Sequence, residues 1–252
     1  MSSPLILVTN DDGIRAEGIS VLAEAMEPLG EVWVVAPEKA QSAQGHALTL
    51  HKPLRVNKLS PRRMSVSGTP TDSVFMAILH LLPRKPDLVV SGVNHGPNVG
   101  DDVSYSGTAS AALEGCIMGI PSIAFSHIDP KTPDFSDAAA YAPVIAQEVL
   151  TDGLPARVYL NVNFPKRPPG GVEGVRVTSL GQRWYDDCIV ESKDPRGKPY
   201  FWIGGSGFRF DDVPGSDCNA LTDGFISVTP ISADLTASAH LDGLRKRGLE
   251  RP

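Results

Sequence analysis

Short apolar runs alternate with segments of helical periodicity over the first two thirds of the chain. Residues 5–8 (LILV) form a continuous apolar run, which is typical of a strand buried on both faces. Apolar residues then recur at helical spacing over Ile19–Leu29, Gly30 is a suitable C-cap, and a second apolar run follows at residues 31–36. A strand, a helix and a strand within about thirty residues predict a βαβ unit with parallel pairing and a right-handed crossover.

The same rhythm continues as far as Pro165. Thr69 suits an N-cap, Pro70 the first helical position and Asp72 the positive end of a helix, so this motif has a complete structural explanation. Glycine, proline and asparagine are concentrated in residues 92–100, which predicts a tight loop. The predicted fold class is therefore α/β, a three-layer, Rossmann-like domain with a mostly parallel sheet. The other predicted elements are strands at 86–91, 120–126 and 158–163, helices at 69–82, from 109 and at 135–150, and a hairpin arm or irregular strands at 54–66.

The character of the chain changes after Lys166, where proline and glycine become dense and the βα rhythm is lost. We interpret residues 1–165 as the Rossmann-like catalytic core and residues 166–252 as a hairpin and oligomerisation extension that does not fold independently. A terminal helix could begin at Asp234. The extension contains apolar stretches at 175–180, 200–203 and 225–229, which we predict to be strands of hairpins and not of a parallel sheet.

Composition restricts the class of protein. The net charge of −6 provides no global positive field, which argues against a nucleic acid polymer as the main partner. No stretch approaches the roughly 20 apolar residues of a membrane span, and the first residues lack an export signal, so we expect a cytoplasmic protein without a membrane partner. Cys116, Cys188 and Cys218 lie far apart without zinc-type spacing and suit unpaired thiols in a reducing compartment.

Polar side chains follow three of the predicted strands. Asp11 and Asp12 come after the first strand, Ser42 after the second and Asn94 after the third. Because the carboxyl ends of parallel strands meet at one edge of a sheet, all four side chains could face one crevice. Carboxylate, hydroxyl and amide oxygens suit Mg²⁺ or Mn²⁺, with Ca²⁺ also possible, and argue against zinc. The alternatives are a solvated Asp-Asn-Gly turn and a serine that only solubilises its loop.

Adjacent aspartates in an extended strand point to opposite faces, so both can serve one site only if the chain turns there. Gly13 permits such a turn. Ser106, Gly107 and Thr108 precede an alanine-rich helix and offer backbone N–H groups, hydroxyls and a positive dipole end, which suits a phosphate group. The alternative is a plain serine or threonine N-cap. A cation beside an anion site indicates phosphoryl chemistry. We assign Asp12 as the general base, because a carboxylate near a metal-bound water could take its proton; the alternative is that both aspartates are only metal ligands.

These motifs resemble the SurE (survival protein E) family of nucleotidases. The matching segments appear in family order across nearly the whole chain: ILVTNDDG, VVAPEKAQSA, SGTPTDSV, PDLVVSGVNHGPNVGDDVSYSGT, IPSIAFS, LNVNFP and GFISVTP. The resemblance implies metal-dependent hydrolysis of nucleoside 5′- and 3′-monophosphates, and short polyphosphate is a substrate of some members. It also implies C-terminal hairpins that are exchanged between subunits, giving dimers and often tetramers. The positions that match the family's metal ligands are Asp11, Asp12, Ser42 and Asn94, and those that match its phosphate pocket are Asn98, Ser106, Gly107 and Thr108.

Gln41 stands where many family members have arginine, and His95 stands where a basic or small residue is common. The preferred base, the preferred phosphate position and the use of polyphosphate therefore stay open, as does the role of His95 as a general acid or as a polar lining residue. A haloacid-dehalogenase-type phosphatase would require its second aspartate two positions after the first, where Gly13 stands. The remaining alternative is a non-catalytic, Mg²⁺-dependent nucleotide sensor; receiver-like domains of that kind use a lysine that these loops lack.

Overall fold

The computed structural model describes residues 3–184, 189–203 and 209–247. Within these ranges, a π-helical turn at Ala77–Leu81 continues the second helix, and 3₁₀ turns occur at Gly100–Ser104 and Ser238–His240. The other elements are β1 (Leu5–Thr9), α1 (Glu17–Met26), β2 (Glu31–Pro37), β3 (Val56–Ser60), β4 (Arg63–Val66), α2 (Pro70–Met76), β5 (Leu88–His95), α3 (Gly107–Ile117), β6 (Ser122–His127), α4 (Ser136–Asp152), β7 (Val158–Phe164), β8 (Val175–Val177), β9 (Arg183–Trp184), β10 (Ile189–Lys193), β11 (Pro199–Ile203), β12 (Arg209–Phe210), α5 (Asp217–Thr222), β13 (Ile226–Ser232) and α6 (Leu241–Lys246).

Nine strands of the described residues form one sheet in the order β3-β4-β2-β1-β5-β6-β7-β13-β8. The six strands from β4 to β7 in this order are parallel to their neighbours. Strand β3 is antiparallel to β4, and β13 is antiparallel to β7. The predicted α/β class with a mostly parallel sheet is confirmed, and residues 54–66 contain the predicted hairpin arm.

The sheet is covered by helices on both faces because its central strands alternate two sets of apolar side chains. Ile6 and Val8 of β1 belong to a core cluster shared with α1 and α4. Leu7 points to the other face, where its cluster includes Val74 of α2 and Ala111 of α3. The two faces thus form the helix–sheet–helix layers that the sequence predicts.

The N-terminus of α2 has the predicted capping box. The Thr69 side chain accepts a hydrogen bond from the Asp72 N–H at 3.0 Å, and Asp72 Oδ2 accepts one from the Thr69 N–H at 2.8 Å. Asp72 Oδ1 also accepts the N–H of Thr49 at 2.9 Å. This motif therefore has a structural role, and it also anchors the loop that follows β2.

Two predictions for local structure are wrong, and a third, the tight loop at 92–100, holds only from Gly96 onward. Residues 92–95 continue β5 with a shift in register between Ser91 and Asn94, because β6 supplies hydrogen-bonding partners beyond the glycine. Strands β8 and β13 are not hairpin strands: β13 adds to β7, and β8 pairs with β13 in parallel. The terminal helix α6 begins at Leu241 and not at Asp234. The segment at 200–203 does form a hairpin, in which β11 is antiparallel to β10.

Two further sequence features can be located. No helix in the described ranges is long and apolar enough to cross a membrane. Cys116 and Cys218 are buried free thiols. Cys188 lies outside the described residues.

Candidate metal and phosphate site

A polar cavity of about 260 Å³ lies at the carboxyl ends of β1 and β5. Topology alone predicts a crevice at this edge of the sheet, and the loops after β1, β2 and β5 all reach it. Six of the residues singled out from the sequence line this cavity: Asp11, Asp12, Ser42, Asn94, Asn98 and Ser106. The other lining residues are Ala43, His95, Gly96, Pro97, Asp102 and Tyr105.

The chain turns directly after the two aspartates, as their common site requires. Gly13 has a φ of +98°, a conformation that side chains other than glycine rarely adopt. The Asn10 side chain closes the turn, since its Oδ1 accepts the Gly13 N–H at 3.1 Å and its Nδ2 donates to the Gly13 carbonyl at 3.0 Å. Asn10 is fully buried and was not predicted as part of the site. The turn brings Asp11 and Asp12 to one cavity.

Asp11 is a buried carboxylate whose ionised form would be stabilised by a positive charge nearby. The pKa of Asp11 is raised to about 6, mainly by burial and also by the neighbouring charge of Asp12, whereas the Thr108 hydrogen bond opposes the shift. Thr108 Oγ1 donates that bond to Asp11 Oδ1 over 2.5 Å. A bound cation would favour the ionised form of Asp11 without a lysine or arginine, and the cavity lining contains neither among the described residues.

The other three candidate ligands lie on separate segments, with Asp12 after β1, Ser42 in the loop after β2 and Asn94 within β5. Asp12 Oδ2 accepts the backbone N–H of His95 at 3.1 Å, which joins the end of β1 to the end of β5. The amide nitrogen of Asn94 donates to the Gly96 carbonyl at 2.8 Å, so the side-chain oxygen is its remaining ligand atom. The loop that carries Ser42 is fixed to β1 by the Gln41 N–H, which donates to the Asp11 carbonyl at 2.7 Å.

These donors fit a hard divalent cation. Within the described part of the chain, no group of three or more His, Cys, Asp or Glu side chains could hold a metal ion. A cation at this edge would combine the Asp11 and Asp12 carboxylates with neutral oxygens such as those of Ser42 and Asn94. Mg²⁺, Mn²⁺ and Ca²⁺ accept such mixed oxygen ligands, whereas zinc prefers histidine and cysteine.

The N-terminus of α3 approaches the aspartates closely. Ser106 is the N-cap and accepts the Ala109 N–H at 3.0 Å, so the N–H groups of Gly107 and Thr108 lack partners within the helix. A Cβ atom at Gly107 would lie 2.8 Å from the Cβ of Asp11, so this approach requires glycine. Ser106 lines the cavity, whereas the Thr108 hydroxyl is engaged by Asp11. The Thr108 backbone N–H also interacts with the Asp11 carboxylate and lowers its pKa, so both donors of Thr108 are directed at Asp11 and its phosphate role stays a prediction.

Asn98 is held by two asparagines that the sequence-based prediction missed. The Asn161 and Asn163 side chains donate to the Asn98 carbonyl at 2.8 and 3.0 Å, and Asn163 Oδ1 accepts the Asn98 N–H at 2.9 Å. The Asn98 side chain donates one of its amide N–H groups to Ser126 Oγ at 2.7 Å. The signal in the sequence is two amides at alternate positions of an otherwise apolar strand, which places both on one buried face of β7.

His95 and Tyr105 complete the cavity wall. The His95 ring stacks on Phe135 with 5.2 Å between ring centroids, which fixes its orientation. Tyr105 is 66% exposed beside Ser106, at the mouth of the cavity. His95 therefore lies in the lining of the cavity.

A comparison with protein families identifies one that covers most of the chain. The family described as "Survival protein SurE" matches residues 6–187. The chain belongs to the SurE family. Relatives named "5'-nucleotidase SurE" include those of Geotalea daltonii, 50% identical over 96% of this chain and 98% of the relative, and of Myxococcus xanthus, 49% identical over 95% and 91%.

The SurE likeness extends to the three-dimensional structure. The crystal structure of a SurE protein from Aquifex aeolicus is 41% identical to this chain, with a TM-score of 0.87. It covers 97% of this chain, and this chain covers all of it. The SurE fold therefore includes the C-terminal segment beyond Lys166, even though the family match itself ends at residue 187.

Proposed function

We propose that this SurE family member hydrolyses nucleoside monophosphates in a reaction that depends on Mg²⁺ or Mn²⁺. The principal substrates of the proposed reaction are 5′-monophosphates, which matches the names of the relatives. The proposal also includes 3′-monophosphates and short polyphosphate. The single observation that carries it is the contact between the buried Asp11 carboxylate and the N-terminus of α3, which puts a cation site and an anion site side by side.

In the proposed reaction, Asp11, Asp12, Ser42 and Asn94 would hold the cation. When bound, the cation supplies positive charge that neutralises the phosphate and lowers the pKa of a nearby water. The backbone N–H of Gly107, the Ser106 hydroxyl and the Asn98 amide bind the phosphoryl oxygens in this proposal, and Thr108 holds Asp11 beside them. Donors that are fixed before the reaction stabilise the charge that develops on those oxygens.

The role of general base is assigned to Asp12, which is less buried than Asp11. Its Oδ2 is bonded to the His95 N–H, so Oδ1 is the atom proposed to accept the proton of the attacking water. The water oxygen forms a bond to phosphorus while the phosphorus–ester oxygen bond breaks. The sugar oxygen keeps that electron pair, takes a proton from a solvent water and leaves as the nucleoside hydroxyl, and Asp12 later returns its proton to the solvent.

The test is phosphate release by the purified full-length protein from 5′-AMP, 5′-GMP, 3′-AMP and a short polyphosphate. Each reaction is run with EDTA and again after Mg²⁺ or Mn²⁺ is restored. We expect phosphate release that EDTA stops and the cation restores. Two adjacent aspartates repel a negatively charged phosphate, so a cation must supply the positive charge that binds it. Nucleotide binding without release from a folded protein would favour the sensor alternative, and EDTA-resistant release would contradict the metal site.

We also infer that the chain forms a homodimer or a tetramer through the hairpin β10–β11. This hairpin stands outside the nine-stranded sheet of the described residues and exposes both aliphatic and aromatic side chains. Trp202 is 66% and Ile203 84% exposed, and Ile189, Val190 and Phe201 are exposed beside them. A cluster of large apolar side chains on one arm is typical of an association surface.

The assembly prediction can be tested without disturbing the core. Trp184 of β9 lies directly opposite Arg209 of β12, so a two-residue Asn-Gly turn can replace residues 185–208. We expect this variant to fold and to lose the native oligomeric mass in light scattering, because the exposed apolar arm is gone. An unchanged oligomeric mass would contradict the role of the hairpin. The buried core substitution Val228→Ala is the matched control, since it should lower stability without changing the mass.

The proposal includes a reducing, cytoplasmic setting. It is supported by Cys116 and Cys218, which are buried free thiols.

A further inference from the structure

The loop after β5 has two sides with different neighbours. We define the site loop as residues 98–106. One side of this loop lines the cavity with Asn98, Asp102 and Ser106. Its other side lies against residues 181–183 and the start of α5, which belong to the C-terminal part of the chain.

Asp217 is the centre of this contact. It is fully buried, and its Oδ2 accepts the N–H of Gly100 in the site loop at 3.0 Å. Its Oδ1 accepts the N–H groups of Gly181 and Cys218, each at 2.8 Å. Burial raises the pKa of Asp217, and these three donors oppose that shift. One carboxylate therefore joins three backbone segments that are distant in sequence.

Arg183 makes a second contact with the site loop. Its Nε lies 3.2 Å from Asp102 Oδ2, and the two side chains are 9% and 15% exposed. Asp102 lines the cavity, whereas Arg183 does not. An ion pair with so little exposure is screened weakly by solvent, so the position of Arg183 affects the Asp102 carboxylate directly.

Apolar packing supports the same contact. Val99 of the site loop is fully buried in a cluster with Cys218 and Leu221 of α5. The 3₁₀ turn at Gly100–Ser104 thus rests on a hydrophobic contact, a carboxylate with three N–H donors and an ion pair. Three different kinds of interaction therefore fix one short segment.

We propose that Asp217 and Arg183 are positioning residues for the nucleotidase site. They hold the site loop so that Asn98, Asp102 and Ser106 face the aspartates, and the C-terminal segment thereby completes the substrate-binding wall within its own chain. This inference rests on the proposed function for its kinetic readout. Its structural readout, the rigidity of the site loop, is independent of that function.

The first variant is Asp217→Asn, which keeps the shape but turns one acceptor into a donor that faces an N–H group. We expect hydrogen–deuterium exchange of residues 98–106 to become at least about tenfold faster and KM for 5′-AMP to rise about 10–100-fold, the usual range for a group that orients a binding residue. Asp223→Asn is the matched control, because Asp223 is exposed at the other end of the same short helix, where it pairs with Arg176. We expect the control to change neither quantity.

The change in KM distinguishes a positioning role of Asp217 from a general loss of stability in the variant. A variant that only unfolds more easily has fewer active molecules, which lowers kcat and leaves KM unchanged. Unchanged exchange in the site loop, or a fall in kcat at constant KM, would overturn the proposal. If the wild-type protein releases no phosphate, the proposed function fails, and the exchange measurement still decides the positioning role.

The second variant, Arg183→Gln, addresses the case in which Asp217→Asn does not fold. It removes the charge beside Asp102 and leaves the Asp217 contacts in place. We expect faster exchange of the site loop and a raised KM, both largely rescued by Arg183→Lys, which restores the positive charge. Arg176→Gln is its control, because Arg176 pairs with the exposed Asp223. Equal effects of Arg183→Gln and Arg176→Gln would overturn the role of Arg183.

Discussion

Replacing Asp11 by asparagine is expected to lower metal-dependent phosphate release by at least about 100-fold, the scale on which loss of a metal ligand reduces activity. The same variant without metal should melt at the wild-type temperature or above it. Asp11 is buried beside Asp12, so the substitution removes a carboxylate charge that burial disfavours. Asparagine still offers an oxygen to the Thr108 hydroxyl. The measurements are phosphate release at saturating Mg²⁺ and thermal unfolding in EDTA.

The control for this variant is Asp152→Asn. Asp152 is the last residue of α4 and is exposed, so the same chemical change there should leave phosphate release unaltered. Full activity of Asp11→Asn would contradict the metal-site assignment. A large fall in its melting temperature would instead show that Asp11 is required for the fold and not only for the site.

Deleting residues 166–252 is expected to leave an insoluble or unfolded product. Strand β13 pairs with β7 along six residues and places Ile226 and Val228 in the main core cluster. Loss of one buried isoleucine side chain costs about 2–5 kcal/mol, which is a large part of the 5–15 kcal/mol that stabilises a typical domain. The deletion also removes Asp217 and its bond to the site loop. Circular dichroism and size-exclusion chromatography of residues 1–165 test this expectation.

The variant in which Asn-Gly replaces residues 185–208 is the matched control for the deletion. It also shortens the C-terminal segment but keeps α5, β13 and the Asp217 contacts. If residues 1–165 unfold cooperatively as a soluble protein, the extension is dispensable for the core. If the control variant also fails to fold, the hairpin itself supports the fold. The failure of the deletion would then not show that residues 1–165 form a core that depends on β13.

Local rules predicted the elements of the core because their causes are local. The apolar run of β1, the helical spacing of α1 and the Thr69–Asp72 capping box each depend on residues a few positions apart. The rule that parallel strands end at one sheet edge then grouped Asp11, Ser42 and Asn94, which the structure brings to one cavity. The family resemblance added the expected roles of these residues, and those roles remain predictions.

Local rules were wrong where a distant strand supplied the hydrogen bonds. Residues 92–95 have the composition of a loop, but β6 pairs with them and extends β5 to His95. The stretch at 225–229 has no helical or βα context, but β7 offers an open edge that β13 occupies. A strand's partner is decided by which sheet edge is free, and this information is absent from the strand's own sequence.

By itself, the sequence determined the α/β class, the order of the core elements and the polar strand ends that form the candidate site. Only the tertiary structure decided how that site is held. Asn163 meets Asn98 across 65 positions of the chain, and Asp217 meets Gly100 across 117. Such bonds leave no periodicity in the sequence, because their geometry depends on how the whole sheet and its helices pack. The residues that carry the proposed chemistry were therefore visible in the sequence, whereas most of those that hold them in place were not.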